Sequence, residues 1–141
     1  MDKEILISIY PEYLKQIHEG KKNFEFRPFK FQNTSDNLIM MWVYETRPVM
    51  MINTLLFVKN PILRLQDSVS GEYRLGKEEF IKNVENNRYA YEIIEAYKLK
   101  NPISLVDMKK FGLYNAPQNY LIVNRYDKLL KRLEIEKGNL S

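Results

Sequence analysis

Within eight residues, Gly20 to Arg27, the chain sets a lysine, a glutamate and an arginine behind a glycine: Gly-Lys-Lys-Asn-Phe-Glu-Phe-Arg. As a strand, this segment sends Asn23, Glu25 and Arg27 to one side and Phe24 and Phe26 to the other, because successive strand side chains point to opposite faces. Arg27 carries five donors in a planar fork, a shape suited to a phosphate or to the edge of a base. Lys22 and Glu25 are residue types that could move a proton. The same residues read equally as scaffold. Lys22 can meet Glu25 across the turn and lock the helix–strand junction, Arg27 can hold Glu25, and an amphipathic strand commonly turns a charged face to water. The two uses are compatible, since a glutamate that fixes two cations also preorganises them for an anionic ligand.

Other groups add to this chemistry. Lys15, Lys21, Lys22 and Lys30 gather positive charge around the junction, although lysines on helices and loops are mostly just solvated. Tyr10, Phe29, Phe31 and Tyr44 are aromatics on which an unpaired base could stack, and each is also an ordinary core residue. Gln118 and Asn119 carry amides that can read a base edge or cap the last strand. His18, the only histidine, faces away from the apolar stripe of its helix and is read as exposed and without a role. With no cysteine in the chain, disulfides, thiolate metal sites and cysteine nucleophiles are excluded, and a single histidine removes most zinc and triad chemistry. No metal and no cofactor are expected.

The elements that must position these groups follow from pattern and punctuation. A chain of 141 residues, 45% apolar, suits one well-buried domain. Its net charge of +4 permits binding to a phosphate backbone without requiring it. No apolar run is long enough to cross a bilayer and the amino terminus lacks a signal-peptide layout, so a cytoplasmic protein is expected. Glu4 to Tyr10 reads as a strand. Pro11 opens a short helix, with Tyr10, Tyr13, Leu14 and Ile17 at helical spacing and Gly20 as its left-handed cap. The strand Asn23 to Arg27 stops at Pro28, and Phe29 to Asn37 is a loop. Leu38 to Glu45 is apolar enough for a strand buried on both faces. Thr46-Arg47-Pro48 turns the chain into Val49 to Val58, and the two runs are expected to pair as a hairpin. A polar stretch, Arg64 to Arg74, precedes a helix within Gly76 to Asn86 that carries Phe80, Ile81 and Val84. Arg88 to Lys100 fits a strand or a helix, and its tyrosines favour the strand. Pro102 to Gly112 reads as a helix capped by Ser104, Tyr120 to Val123 as a last core strand, and Tyr126 to Lys137 as a helix with Leu129, Leu130 and Leu133 on one face. This irregular order of strands and helices argues for a small α+β domain built on a mixed β-barrel rather than a regular βαβ fold.

At this point the residues resemble a known family. The opening Leu6-Ile-Ser-Ile-Tyr-Pro11 and the set Gly20, Lys22, Glu25, Arg27 are similar to the ASCH domain, whose signature is Gly-x-Lys-x-x-Glu-x-Arg. Ala116-Pro117-Gln118-Asn119-Tyr120 resembles the lead-in to the last strand of that domain, and Asn101-Pro102-Ile103-Ser104-Leu105 is also familiar from it. The resemblance spans about Ile5 to Val123. It implies a single PUA-like domain over residues 1–141, a mixed β-barrel with short helices in the connections, a core at about 5–123 and a C-terminal helix at 126–137. It further implies an RNA- or nucleotide-binding, non-enzymatic role in a cleft beside the motif, with Lys22, Glu25, Arg27, Tyr10 and Gln118 as the ligand-binding residues. A small branch of the superfamily resembles amidohydrolases of acetylated cytidine, with a lysine at the position of Lys22 and a threonine where this chain has Glu25. A hydrolase acting on a modified nucleoside or on RNA, with Lys22 and Glu25 as catalytic groups, is therefore the alternative. A carboxylate cannot replace the threonine hydroxyl, and it favours the ammonium form of Lys22 over a neutral base.

Overall fold

The computed structural model describes residues 3–32, 37–62, 77–86 and 88–140; the expected polar stretch Arg64 to Arg74 lies outside them. In order along the chain, the described elements are β1 (Ile5–Ile9), α1 (Pro11–His18), β2 (Phe24–Arg27), β3 (Ile39–Glu45), β4 (Met51–Val58), α2 (Lys77–Glu85), β5 (Tyr89–Ser104), α3 (Leu105–Lys110), β6 (Leu121–Ile122), a 3-10 turn (Val123–Arg125) and α4 (Asp127–Gly138). The strands form one six-stranded mixed sheet in the order β2-β5-β4-β3-β1-β6. β1 and β3 are parallel, whereas the β3–β4 hairpin and the β4–β5, β2–β5 and β1–β6 pairs are antiparallel. β5 serves two partners in succession: Tyr89 to Glu92 pair with β2, and Ile93 to Ser104 with β4. A strand shared in this way curls the sheet into a half-barrel, in line with the expected PUA-like barrel.

Apolar residues coat both faces of the sheet, which explains why the central strands are almost uniformly hydrophobic. In β1, Ile5, Ile7 and Ile9 pack with Ile39, Met41 and Val43 of β3 and with Leu14 and Ile17 of α1. Leu6, Trp42 and Tyr44 project to the other face, where Met108 of α3 and Leu129 and Leu133 of α4 cover them. Fully burying side chains of this size contributes roughly 1.5–3 kcal/mol apiece, so the leucine face of α4 belongs to the chain's own core. Phe80 of α2 packs edge-on against Phe24 at 5.1 Å and closes a third, smaller cluster on β2.

Polar anchors reinforce the tail helix. Glu4, buried at the start of β1, accepts the Trp42 indole N–H at 2.8 Å and the Lys137 ammonium at 2.9 Å. Glu136 of α4 accepts the Asn101 backbone N–H and the Arg132 guanidinium, each at 2.8 Å. Burial alone would raise the Glu136 pKa, but these donors outweigh it and hold the carboxyl below the ordinary carboxylate range.

Several expected boundaries move. The segment from Arg88 to Lys100 is a strand and continues through Pro102 to Ser104, so α3 starts only at Leu105, with the Ser104 hydroxyl accepting the Asp107 N–H as expected of a cap. The last strand shrinks to Leu121–Ile122. Neither Tyr10 nor Tyr13 belongs to the core face of α1, being 62% and 44% exposed.

Candidate ligand-binding cleft

The turn that leads into the motif is set by hydrogen bonds as well as by glycine. The N–H of Gly20 donates to the Ile17 carbonyl at 3.0 Å and that of Lys21 to the Gln16 carbonyl at 2.9 Å, the paired bonds of a Schellman cap. Gly20 adopts φ +74°, which a side chain would strain. The chain then reverses into β2, where Glu25 pairs with Tyr91 and Arg27 with Tyr89. Phe24 and Phe26 face α2 as the alternation requires.

The opposite row does not face water. Asn23 and Glu25 are 6% and 7% exposed, and the Arg27 side chain is 15% exposed. β2 is one edge of the curled sheet and β1 lies next to the other, so this row looks across the opening of the half-barrel. Arg27 spans it: its Nε donates to Glu25 Oε1 at 3.0 Å and its Nη2 to the carbonyl of Ser8 in β1 at 2.6 Å. Ser8 in turn donates its hydroxyl to the Pro117 carbonyl at 2.7 Å, which fixes the loop bearing Gln118 and Asn119. Below this, the Tyr91 hydroxyl donates to the Phe29 carbonyl at 2.7 Å and accepts the Phe31 N–H at 2.9 Å. Burial pushes the Tyr91 phenol far above its usual pKa, so it stays protonated for that double role.

The result is an open cleft of ≈ 830 Å³. Tyr10, Lys22, Glu25, Arg27 and Gln118, the five expected binding residues, all line it. Lys22 does not meet Glu25 as one reading of the sequence had it. Its ammonium lies 4.9 Å from the centre of the Phe26 ring and 5.9 Å from that of Tyr13, with Glu79 of α2 at 3.8 Å. Glu25 is therefore left to Arg27, and its second oxygen, Oε2, is buried with no hydrogen-bond partner among the described residues.

Of the surrounding lysines, Lys21 pairs with Glu19 at 3.5 Å, Lys15 lines a different groove, and Lys30 is not part of the wall. Phe29 lines the cleft, but Phe31 is buried against Tyr120 and Tyr44 lies on the other face of the sheet, so neither is a stacking surface. His18 is not an idle exposed residue: it is half-buried, and its Nε2 lies 2.9 Å from the Thr54 hydroxyl.

Sequence reasoning missed Ser8, Glu79, Lys82 and Arg88 as cleft residues. Ser8 left a signal, as the one polar residue inside the run Ile5 to Ile9. Glu79, Lys82 and Asn83 stand at i, i+3, i+4 on one face of α2, and such a face is indistinguishable from a solvated one until Phe80 docks the helix beside β2. Lys82 and Arg88 have no ion-pair partner among the described residues, so the cleft holds four cations, Lys22, Arg27, Lys82 and Arg88, against two carboxylates.

No protein-family model and no curated protein sequence matches the chain. Solved structures do. The crystal structure of an ASCH protein from Zymomonas mobilis carrying a Tyr-to-Phe substitution matches with a TM-score of 0.68 at 22% identity, over 99% of both chains. A Ser-to-Ala variant of that protein gives 0.68 at 23% identity, covering 99% of this chain and 97% of the other. A third crystal structure, described as ASCH from the same organism, gives 0.66 at 24%, covering 93% and 95%. With these neighbours over nearly its whole length and a curled six-stranded mixed sheet of its own, the chain has the α+β, PUA-like fold of the ASCH domain.

Proposed function

We propose that this chain is a member of the ASCH family whose cleft binds RNA or a nucleotide without turning it over. The observation that carries the reading is the Glu25–Arg27 pair, held at the cleft wall with Glu25 Oε2 unpartnered among the described residues. A buried acceptor without a donor costs roughly 1–3 kcal/mol, and more when it is charged. A ligand amino or imino group offsets that cost after a small turn of the carboxylate, whose terminal torsion is soft. Arg27 supplies donors beside this acceptor, and the Ser8 carbonyl and Glu25 fix its fork in place. A base edge presents donors next to acceptors and so matches this arrangement. Tyr10 and Tyr13, with ring centres 6.2 Å apart, form an exposed aromatic rim for stacking, while Lys82 and Arg88 supply charge for phosphate.

The test is titration of labelled single-stranded RNA and of a panel of nucleoside monophosphates against the wild type and Arg27→Ala at two salt concentrations. Affinity that weakens with salt and drops at least tenfold in the variant is expected. Negligible or equal binding by both proteins overturns the reading.

A further inference from the structure

α1 separates the cleft from a second groove of ≈ 550 Å³, lined by Lys15, His18 and Glu19 of the helix and its cap, by Glu45 of β3, by Asn53 and Thr54 of β4 and by Lys98 of β5. The sheet is irregular here. Asn53 has no partner in either neighbouring strand, and between the β4–β5 pairs Thr54–Lys98 and Ile52–Ile103 the longer strand bows out through Leu99 to Pro102. Such bulges re-aim side chains. They set up a directed chain of hydrogen bonds. Asn53 Nδ2 donates to Glu45 Oε1 at 2.7 Å, and the fully buried Thr54 hydroxyl donates to Asn53 Oδ1 at 3.0 Å. With its proton spent on Asn53, the Thr54 oxygen accepts from His18 Nε2 at 2.9 Å. The order fixes the imidazole tautomer: Nε2 carries the proton, and Nδ1 makes no hydrogen bond among the described residues.

The charges around this ring are unevenly satisfied. Glu19 is paired with Lys21, and Glu45 is engaged by Asn53. Lys15 and Lys98 have no carboxylate partner among the described residues and line the same groove as His18. Burial first, and then the Lys98 charge, hold the His18 pKa below its ordinary value against the weaker opposing pull of Glu45. Thr54 is too enclosed to be a nucleophile for any substrate, so the cluster is suited to binding. A phosphate dianion would offset both ammonium charges and let His18 Nδ1 take a proton and donate it.

We propose that this groove is a phosphate-binding site, separate from the cleft, in which Lys15, Lys98 and protonated His18 hold the phosphate group and binding is coupled to proton uptake by His18. Because His18 is the chain's only histidine, its ring resonances in NMR report the site without ambiguity. The experiment follows the His18 pKa in the full chain with increasing inorganic phosphate, against sodium chloride at matched ionic strength. The expected result is a saturable rise of about one unit, the low end of what one opposite charge at close range produces, absent with chloride and abolished in the Lys15→Gln/Lys98→Gln double variant. Both lysines are exposed, so the variant keeps its fold. A response equal to that of chloride, or one that survives the double substitution, overturns the proposal. A further arm separates free phosphate from a nucleotide source. A nucleoside monophosphate should move His18 equally in wild type and Arg27→Ala, and dependence of that shift on Arg27 would place the phosphate in the cleft and contradict the site.

Discussion

Glu136, on the buried side of the tail helix, and Glu25, in the cleft, are both buried carboxylates facing an arginine, and the described residues complete only one of them. Glu136 has the Asn101 N–H on one oxygen and Arg132 on the other, and Arg132 itself reaches on to the Asn101 carbonyl at 2.9 Å. Glu4 nearby is equally complete, with Trp42 on Oε1 and Lys137 on Oε2. Glu25 has Arg27 on one oxygen and, among the described residues, no hydrogen-bond partner on the other. Among the described residues two buried side-chain oxygens lack a partner, Gln16 Oε1 and Glu25 Oε2, and of these only Glu25 lines the cleft, beside the exposed Tyr10 and Tyr13 and the cations Lys82 and Arg88.

The largest effect expected from this contrast is at the finished end. Glu136→Ala strands Arg132 and the Asn101 N–H, and breaking a buried pair of this kind costs about 3 kcal/mol. Urea denaturation should show that loss, with RNA affinity per folded molecule unchanged; a change under about 1 kcal/mol would remove the distinction between the two regions. The same residue gives a pH signature. Its pKa is depressed in the folded state, so its contribution is fully present above the ordinary carboxylate pKa and is lost as pH falls through the lower folded value. Glu136→Gln should flatten the acid limb of stability against pH relative to wild type; an unaltered limb would contradict the assignment.

Neither Glu136 nor Glu4 stood out in the sequence, but much of the fold and of the cleft was legible there, and the part that was not has a physical cause. Alternation and punctuation placed β1, α1, the Gly20 cap, β2 and the β3–β4 hairpin, because each is a local pattern ended by proline or glycine. Lys22, Glu25 and Arg27 meet in one cleft because they lie on a single turn and strand, whereas Tyr10 and Gln118, expected there from the family resemblance, reach it through the tertiary fold. Partnerships were not legible. Lys22 lies three residues from Glu25 and pairs instead with Glu79, because α2 docks through Phe80 from more than fifty residues further along. His18 reads as exposed because the apolar stripe of α1 carries no sign of the bulged strand that brings Thr54 up to meet it. Arg88 to Lys100 was ambiguous because a strand that changes partners midway loses its clean alternation.

In the cleft, the middle-sized effect belongs to Arg27→Lys. A lysine keeps the charge but cannot hold Glu25 and the Ser8 carbonyl while also presenting a fork, so affinity for RNA should fall about tenfold, near 1.4 kcal/mol, in fluorescence anisotropy. Retained affinity would reduce Arg27 to a point charge. The smallest effects belong to the rim: Lys82→Ala and Arg88→Ala should each weaken binding across all sequences and lower the slope of log affinity against log salt by about one. An unchanged slope would take phosphate away from that rim.

The most direct test of the half-finished carboxylate is Glu25→Gln, measured for both affinity and stability on the same preparation. The amide can keep an acceptor on Arg27 while placing an NH₂ donor where Oε2 stood, so it opposes a ligand donor without removing volume. The account predicts RNA or nucleotide affinity lowered at least tenfold, with unfolding free energy within about 1 kcal/mol of wild type. Unchanged affinity together with a stability loss of about 3 kcal/mol, the size expected at Glu136, would make Glu25 a structural group and contradict it.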